Sequence, residues 1–299
     1  MSISRKITTL YTKTAVLSMR LIWKSKDKSN ECKGKLLTNY FTQKYLPIVE
    51  NIRKKNITTE SQEVIWQFWD NPDGKKTPPI IKSCLDSVDK YKGNFEHKIL
   101  NNLTIKNYSD LPGYILDRFN KKQMDYAHFS DLLRLNLLKN HGGIWLDATG
   151  FMTNFIPKYI VDEVFFVFLT GKLTIFPYSF MQNCFIRAKK GSFLCEAWYE
   201  MCLEYWKKEK KELDYFQHQL MFKALVEKNP TAKDLFDKMP KKPDDEIHQL
   251  VGNNLFKKFD EKKWGKIKKT SFFQKTTYRT AGATDLTDTY FSKLSEGNL

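Results

Sequence analysis

Residues Asp125–Thr149, DYAHFSDLLRLNLLKNHGGIWLDAT, constrain this chain more than any other segment. Phe129, Leu132, Leu133, Leu137 and Leu138 recur at three- and four-residue spacing, which predicts a helix with one face on a core. Asp131 and Arg134, three apart, share another face of that helix. Gly142 and Gly143 supply the left-handed backbone that ends helices. Ile144, Trp145 and Leu146 then begin a short apolar strand, leaving Asp147 where the strand exits its sheet. In open α/β sheets that edge is where ligands bind. Two plainer explanations stand beside this one. Asp131 and Arg134 could form a solvated surface pair of little energetic worth, and Asp147 could cap a turn with Thr149 as its partner.

The whole string, Ser-Asp, two residues, Arg, an apolar helix, Gly-Gly, an aromatic, an apolar residue and Asp, resembles the core motif of sugar transferases with a Rossmann-like half and an Asp-X-Asp metal site. It is most similar to the capsular-polysaccharide-synthesis branch of the family that includes yeast mannosyltransferases and, more distantly, the glucosylating clostridial toxins. The resemblance runs from Glu63 to Arg279. Val64-Ile65-Trp66-Gln67-Phe68-Trp69 resembles the family's first strand, with Trp66 where His is common and Trp69 matching an aromatic that lies against the nucleotide base. Base stacking on such a ring contributes ~1 to 3 kcal/mol; ordinary core packing is the other explanation for both tryptophans. Gln182-Asn183-Cys184-Phe185-Ile186 with Gly191 resembles the family's Asn-containing strand. Asp214-Tyr215-Phe216 with His218 resembles a late helix, and Lys275-Thr276-Thr277-Tyr278-Arg279 a closing basic segment.

The resemblance implies a site. Asp131, Arg134 and Asp147 would be catalytic, and Gln67, Trp69, Asp131, Arg134, Asn183, Lys275 and Arg279 would bind the nucleotide sugar. Asp147 would hold the metal, and Asp214 and His218 would support the acceptor or catalysis. Within it, Asp131 would hold ribose or sugar hydroxyls, Arg134 the donor sugar or diphosphate, and Asp147 a weakly held Mn²⁺ or Mg²⁺. One departure bears on the metal: the triplet here is Asp147-Ala148-Thr149, and no Asp-X-Asp occurs in the chain. Hard divalent cations want several oxygen ligands. A lone carboxylate with waters and the donor's phosphates would hold one loosely, or Lys275 or Arg279 would take over part of the neutralisation.

Composition suits an enzyme of this kind. The 299 residues, 41% hydrophobic and 14% aromatic, can bury a sizeable core. Five cysteines, odd in number and without metal-ligand spacing, suit reduced thiols in the cytosol. The apolar run between Lys13 and Arg20 is too short for a secretory core or a bilayer span. The formal charge of +16 is concentrated early, from Arg5 to Lys35, beside Ile3, Ile7, Leu10, Leu17 and Leu21 at helical spacing. Such a basic amphipathic helix either lies on an anionic membrane, each cation adding ~1 kcal/mol, or docks on the catalytic domain. A second basic region, Lys257 to Lys275, interleaves Phe259, Trp264, Phe272 and Phe273 with lysines and reads as a contact for phosphates.

A nucleic-acid partner is not expected: the basic aromatic stripes are the usual footprint, but no nucleic-acid-binding motif accompanies them. A noncatalytic glycan-assembly or binding protein of the same fold is a further alternative. Esterase, NTPase, zinc-protease and dehydrogenase signatures are absent. The expected architecture is α/β: a Rossmann-like mixed sheet of the GT-A type flanked by helices (residues 59–299), preceded by a basic helical arm (residues 1–58). Strands are expected at Val64–Trp69, Phe95–Leu100, Ile144–Leu146, Val164–Leu169 and Met181–Arg187, and Pro230 to Pro243 as a polar connector. The expected function is transfer of a sugar, with retention, from a nucleotide donor to a growing capsular or other surface polysaccharide. The acceptor would be a glycan or lipid-linked oligosaccharide, met at the inner face of the bacterial cytoplasmic membrane.

Overall fold

A computed structural model describes residues 26–52, 63–71, 75–172, 174, 176–280, 282, 285–297 and 299 of the chain. Helix α1 (Lys26–Lys44) leads into strand β1 (Val64–Phe68), helix α2 (Pro79–Tyr91) and strand β2 (Glu96–Leu100). Helices α3 (Gly113–Asn120) and α4 (Tyr126–His141) precede β3 (Gly143–Leu146) and β4 (Gly150–Met152). A short α5 (Lys158–Val161), β5 (Phe165–Leu169) and β6 (Met181–Ala188) follow, then α6 (Phe193–Lys208) and α7 (Gln217–Lys228). Helices α8 (Pro230–Lys238) and α9 (Glu261–Thr270), strand β7 (Phe273–Lys275) and α10 (Tyr290–Ser295) complete the described chain.

The central sheet has the order β2-β1-β3-β6-β5. β1 runs parallel to β2 and β3, while β6 pairs antiparallel with β3 and β5, so the sheet is mixed, as expected. All five residues of β1 are buried, as a strand covered on both faces requires. Residues of α4 are buried on nearly every side, from His128 to Leu138. That removes the surface-pair explanation for Asp131 and Arg134, which are only 7% and 4% exposed.

The helix-to-strand junction depends on both glycines. Gly142 has φ 73° and donates to the Leu138 carbonyl 2.9 Å away, closing α4. Gly143 has φ 106°, and a Cβ there would lie 2.4 Å from the Val64 carbonyl oxygen, so β3 can pair with β1 only because that atom is missing. Trp66 seals the junction from below. It is fully buried, with its indole N–H on the Gly142 carbonyl at 3.0 Å, and so is a core residue.

A two-stranded sheet, β4 with β7, pairs Gly150 with Lys275 and so brings the closing basic segment beside the Asp147 turn. Around it a smaller core joins Ile80, Ile81 and Cys84 of α2 to Phe151, Trp264, Ile267, Tyr290 and Leu294. This corrects the reading of Lys257–Lys275 as a phosphate contact. Trp264, Phe272 and Phe273 are buried, because Trp264 and Ile267 share the inner face of α9, and only its lysine face meets solvent. Pro230–Lys238 is likewise a helix and not a connector, with the Asn229 side chain capping the Ala232 N–H at 2.9 Å and Pro230 at its first turn.

The core takes in residues on both sides of the expected boundary. Leu37, Tyr40, Phe41, Tyr45 and Val49 belong to the same core as β1 and β3, drawn in by ring contacts of Phe41 and Tyr45 with Tyr205. Two buried acids fasten α1: Lys33 pairs with Asp214, and Lys44 with Glu209 at 2.5 Å. Residues 37–49 of the expected arm therefore pack into the same core as the central sheet. Its amphipathic beginning, Ile3 to Leu21, lies outside the described residues. Among the described residues no helix is long and apolar enough to cross a membrane, and all five cysteines are free.

Candidate active site

The C-terminal ends of β1 and β3, the start of α4 and the beginning of α7 enclose a cleft of ≈ 600 Å³, within the range of ligand pockets. Its floor is built from four charged side chains. Strand β3 ends in a turn in which Asp147 donates its N–H to the Cys184 carbonyl and accepts from Gly150 N–H. The Asp147 carboxylate is held from two sides: Trp145 Nε1 donates to Oδ1 at 2.8 Å, and Lys275 Nζ donates to Oδ2 at 2.5 Å. Arg134 Nη2 stands 3.5 Å from the same Oδ1 and 3.3 Å from Asp131 Oδ1, between the two carboxylates.

Arg134 is spent on this architecture. Its Nε and Nη2 reach the Ser130 carbonyl and hydroxyl, its Nη1 reaches the Asn183 carbonyl at 2.6 Å, and its guanidinium lies over Trp145. Its side chain is 5% exposed, against 22% for Asp147 and 25% for Lys275. A ligand in the cleft therefore meets Asp147 more readily than Arg134, whose part is to orient the two carboxylates.

The two aspartates are shifted in opposite directions. Burial would raise both. At Asp147 the charges of Lys275 and Arg134 override it and hold the carboxyl at about 2. At Asp131 burial prevails over Arg134 and His128 and pushes the carboxyl up to about 6. Since that value exceeds the ordinary 3.8, the folded state takes up the Asp131 proton more readily than the unfolded chain. Lowering the pH from 6 towards 4 then stabilises the fold through this group, while removing the anion a sugar hydroxyl would bind. Transfer is expected to show an acid limb near pH 6 in kcat/KM without loss of folded protein; a flat profile from pH 7 to 5 would contradict this role of Asp131.

Asn183, from β6, donates to Asp131 Oδ1 at 2.8 Å, and His218 Nδ1 is 3.3 Å from the same amide nitrogen. His218 is 3% exposed, and burial, with the nearby Arg134 charge, keeps its imidazole neutral, far below the ordinary value. It touches the floor from behind and does not line the cleft. At the other end Trp69 meets Tyr278 edge to face at 5.2 Å, beside Arg279, Lys75 and Lys76. Tyr126 and Tyr215, 45% and 62% exposed, form the rim.

Of the residues singled out in the sequence, Trp69, Asp131, Arg134, Asp147, Asn183 and Arg279 line one cleft. Gln67 does not: it is fully buried, its Oε1 accepts from His97 Nε2 at 2.7 Å, and its Nε2 donates to the Asp147 carbonyl at 3.3 Å. It props the Asp147 turn from beneath. Lys275 belongs to the floor's network but does not itself line the cleft, standing on Asp147 and Thr149. Asp214 is tied to Lys33 and to the Phe216 N–H, and its neighbour Tyr215 reaches the cleft instead. Sequence reasoning passed over Lys75, Lys76, Tyr126, Gln219 and Asp70, which accepts from the Tyr126 hydroxyl at 2.9 Å. Two adjacent lysines just after the Trp69 strand were the one available signal.

On the protein side, the expected Mn²⁺ or Mg²⁺ would have Asp147 as its carboxylate. Both oxygens of that carboxylate already carry donors, from Trp145 and Lys275, so an ion there would depend on waters and donor phosphates for most of its ligands. The Lys275 ammonium bridges Asp147 Oδ2 and Thr149 Oγ1, at 2.5 and 2.6 Å. Among the described residues no cluster of three or more His, Cys, Asp or Glu side chains could hold a metal.

Comparison with known proteins gives three findings. The capsular polysaccharide synthesis protein family matches residues 18–294. The O-glycosyltransferase braB of Annulohypoxylon truncatum is 23% identical over 181 residues, 54% of this chain and 42% of that protein, so the chain spans less than half of that relative's length. The solved PaToxG Glycosyltransferase aligns over 71% of this chain and 83% of its own, at 15% identity and a TM-score of 0.40.

Proposed function

The chain belongs to the capsular polysaccharide synthesis protein family, and from that premise we propose that it is a glycosyltransferase. It takes a sugar from a nucleotide-diphosphate donor and moves it, with retention at the anomeric carbon, to a hydroxyl of a growing surface polysaccharide or its lipid-linked precursor. The observation that carries this reading is the floor of the cleft, where Asp131, Arg134, Asn183, Asp147 and Lys275 form one connected network under an opening flanked by aromatic rings and cations.

Each region suits a part of such a donor. Trp69 and Tyr278 offer ring faces and edges for a base, and Lys75, Lys76 and Arg279 offer positive charge for a diphosphate. Asp131 and Asn183 offer acceptor and donor to sugar hydroxyls. Asp147, a fixed anion among three donors, suits electrostatic support of the positive charge that grows at the anomeric carbon as its bond to the diphosphate breaks. Lys275 and Arg134 offset that anion, so the floor does not repel the diphosphate. Positioning and prearranged charge account for the rate in this scheme. The test is release of nucleoside diphosphate from a panel of UDP and GDP sugars in the presence of oligosaccharide acceptors, with the anomer of the product read by NMR. Failure of the folded protein to use any donor would return the assignment to a noncatalytic glycan-binding protein.

Residues 1–25 carry the remaining membrane proposal. With α1 built into the core, removal of residues 1–25 alone is expected to leave transfer to soluble acceptors intact and to lower sedimentation with anionic vesicles. Binding of the full chain should weaken with salt, since the attraction is screened beyond about 8 Å at physiological ionic strength. Equal sedimentation of the shortened and full chains would remove the membrane from the account.

A further inference from the structure

Gln219 stands in the wall of the cleft on the first turn of α7, directly after His218, which meets Asn183 and Asp131. It is 5% exposed, and its buried Oε1 has no hydrogen-bond partner. Gln217, two residues earlier, shows how such a side chain is normally used: its Oε1 accepts from the Leu213 N–H at 2.9 Å and organises the loop. Gln219 has no comparable structural task. A buried acceptor left unpaired is costly, and folded proteins rarely tolerate one without a reason.

We propose that Gln219 reads a hydroxyl of the transferred sugar and thereby sets which donor sugar the cleft accepts. The inference rests on the reading of the cleft as a sugar-nucleotide site and adds to it the residue that selects the sugar. Its location favours the sugar, because Gln219 directly follows His218, which meets Asn183 and Asp131, the pair that suits sugar hydroxyls. An ionised phosphate, which only accepts, would leave the unpaired Oε1 unsatisfied. A hydroxyl, which donates as well as accepts, matches both halves of a carboxamide. A site built to pair a substrate hydroxyl rejects the analogue lacking it strongly, because its own polar group is then left buried and unmatched.

The experiment is a mutant cycle between enzyme and donor. UDP-glucose, UDP-galactose and GDP-mannose are tried first with the wild-type full chain, and the donor used is compared with its monodeoxy analogues, in the wild type and in Gln219→Met, which keeps the side-chain length. In the wild type, removal of one particular hydroxyl is expected to lower kcat/KM by at least ~10-fold. In Gln219→Met the intact donor should fall by a similar factor and the penalty for losing that same hydroxyl should shrink to about twofold or less, the penalties at the other positions staying as they were. Binding of UDP or GDP alone, which lacks the transferred sugar, should stay within about twofold and so reports an intact cleft. The proposal is overturned if every deoxy penalty is the same in both proteins, or if the wild type shows none. A wild type that uses no sugar nucleotide overturns instead the reading on which the proposal rests.

Discussion

Arg134→Ala is expected to destabilise the protein by ~3 to 5 kcal/mol, the range for breaking a buried ion pair from one side. The side chain is 5% exposed and stands between two carboxylates, 3.3 Å from Asp131 and 3.5 Å from Asp147. Its loss leaves Asp147 with Lys275 as its remaining cation, removes the charge that opposes burial at Asp131, and strands the Asn183 and Ser130 carbonyls. Urea unfolding at pH 7 measures the loss. Pairing the change with Asp131→Asn should recover part of it, since a neutral amide needs no counter-charge. A loss under about 1 kcal/mol would mean that Arg134 is free to serve the ligand directly and is not the orienting cation.

Lys275→Met is expected to lower transfer by ~10²-fold, the scale for removing one prearranged charge from an active centre, with a smaller effect on stability. The ammonium lies 2.5 Å from Asp147 and 2.6 Å from Thr149, and without it the carboxylate projects an unbalanced negative charge toward the donor's diphosphate. The wild type should keep its activity in excess chelator. The variant, whose Asp147 and Thr149 oxygens become available, should regain part of its activity with millimolar Mn²⁺. Assay of both proteins with and without Mn²⁺ and chelator separates the cases: a wild type silenced by chelator and restored by Mn²⁺ would show that the metal displaces Lys275 in the working enzyme.

Much of this was legible in the sequence because the signals were local. The Asp125 cap, the apolar spacing of α4, the glycine pair and the Ile-Trp-Leu strand each follow from short-range rules, and the structure places Asp147 at the strand end those rules implied. The orientation of side chains was harder to read. Gln67 and Trp69 are two apart in one segment, yet one props the floor and the other lines the cleft, because β1 ends at Phe68 and Trp69 already belongs to the loop. Asp214 and Tyr215 divide in the same way: Lys33, some 180 positions earlier in the chain, claims the acid and leaves the ring to the cleft. That partner was concealed by the treatment of α1 as a separate arm. The α8 helix, in contrast, could have been found from its own residues, since Asn229 followed by Pro230 is a helix start. Charge density drew attention to Lys257–Lys275, when the three-residue spacing of Trp264 and Ile267 already marked one face of α9 as core.

The most direct test of the central claim, that this cleft transfers sugar from a nucleotide donor under the charge of Asp147, is to measure sugar incorporation into an oligosaccharide acceptor by the wild type and by Asp147→Ala across a panel of UDP and GDP sugars. The expected result is one preferred donor, used by the wild type and used at least ~10²-fold more slowly by an Asp147→Ala variant that remains folded. Incorporation by Asp147→Ala at the wild-type rate, or incorporation by neither protein from any donor, would contradict it.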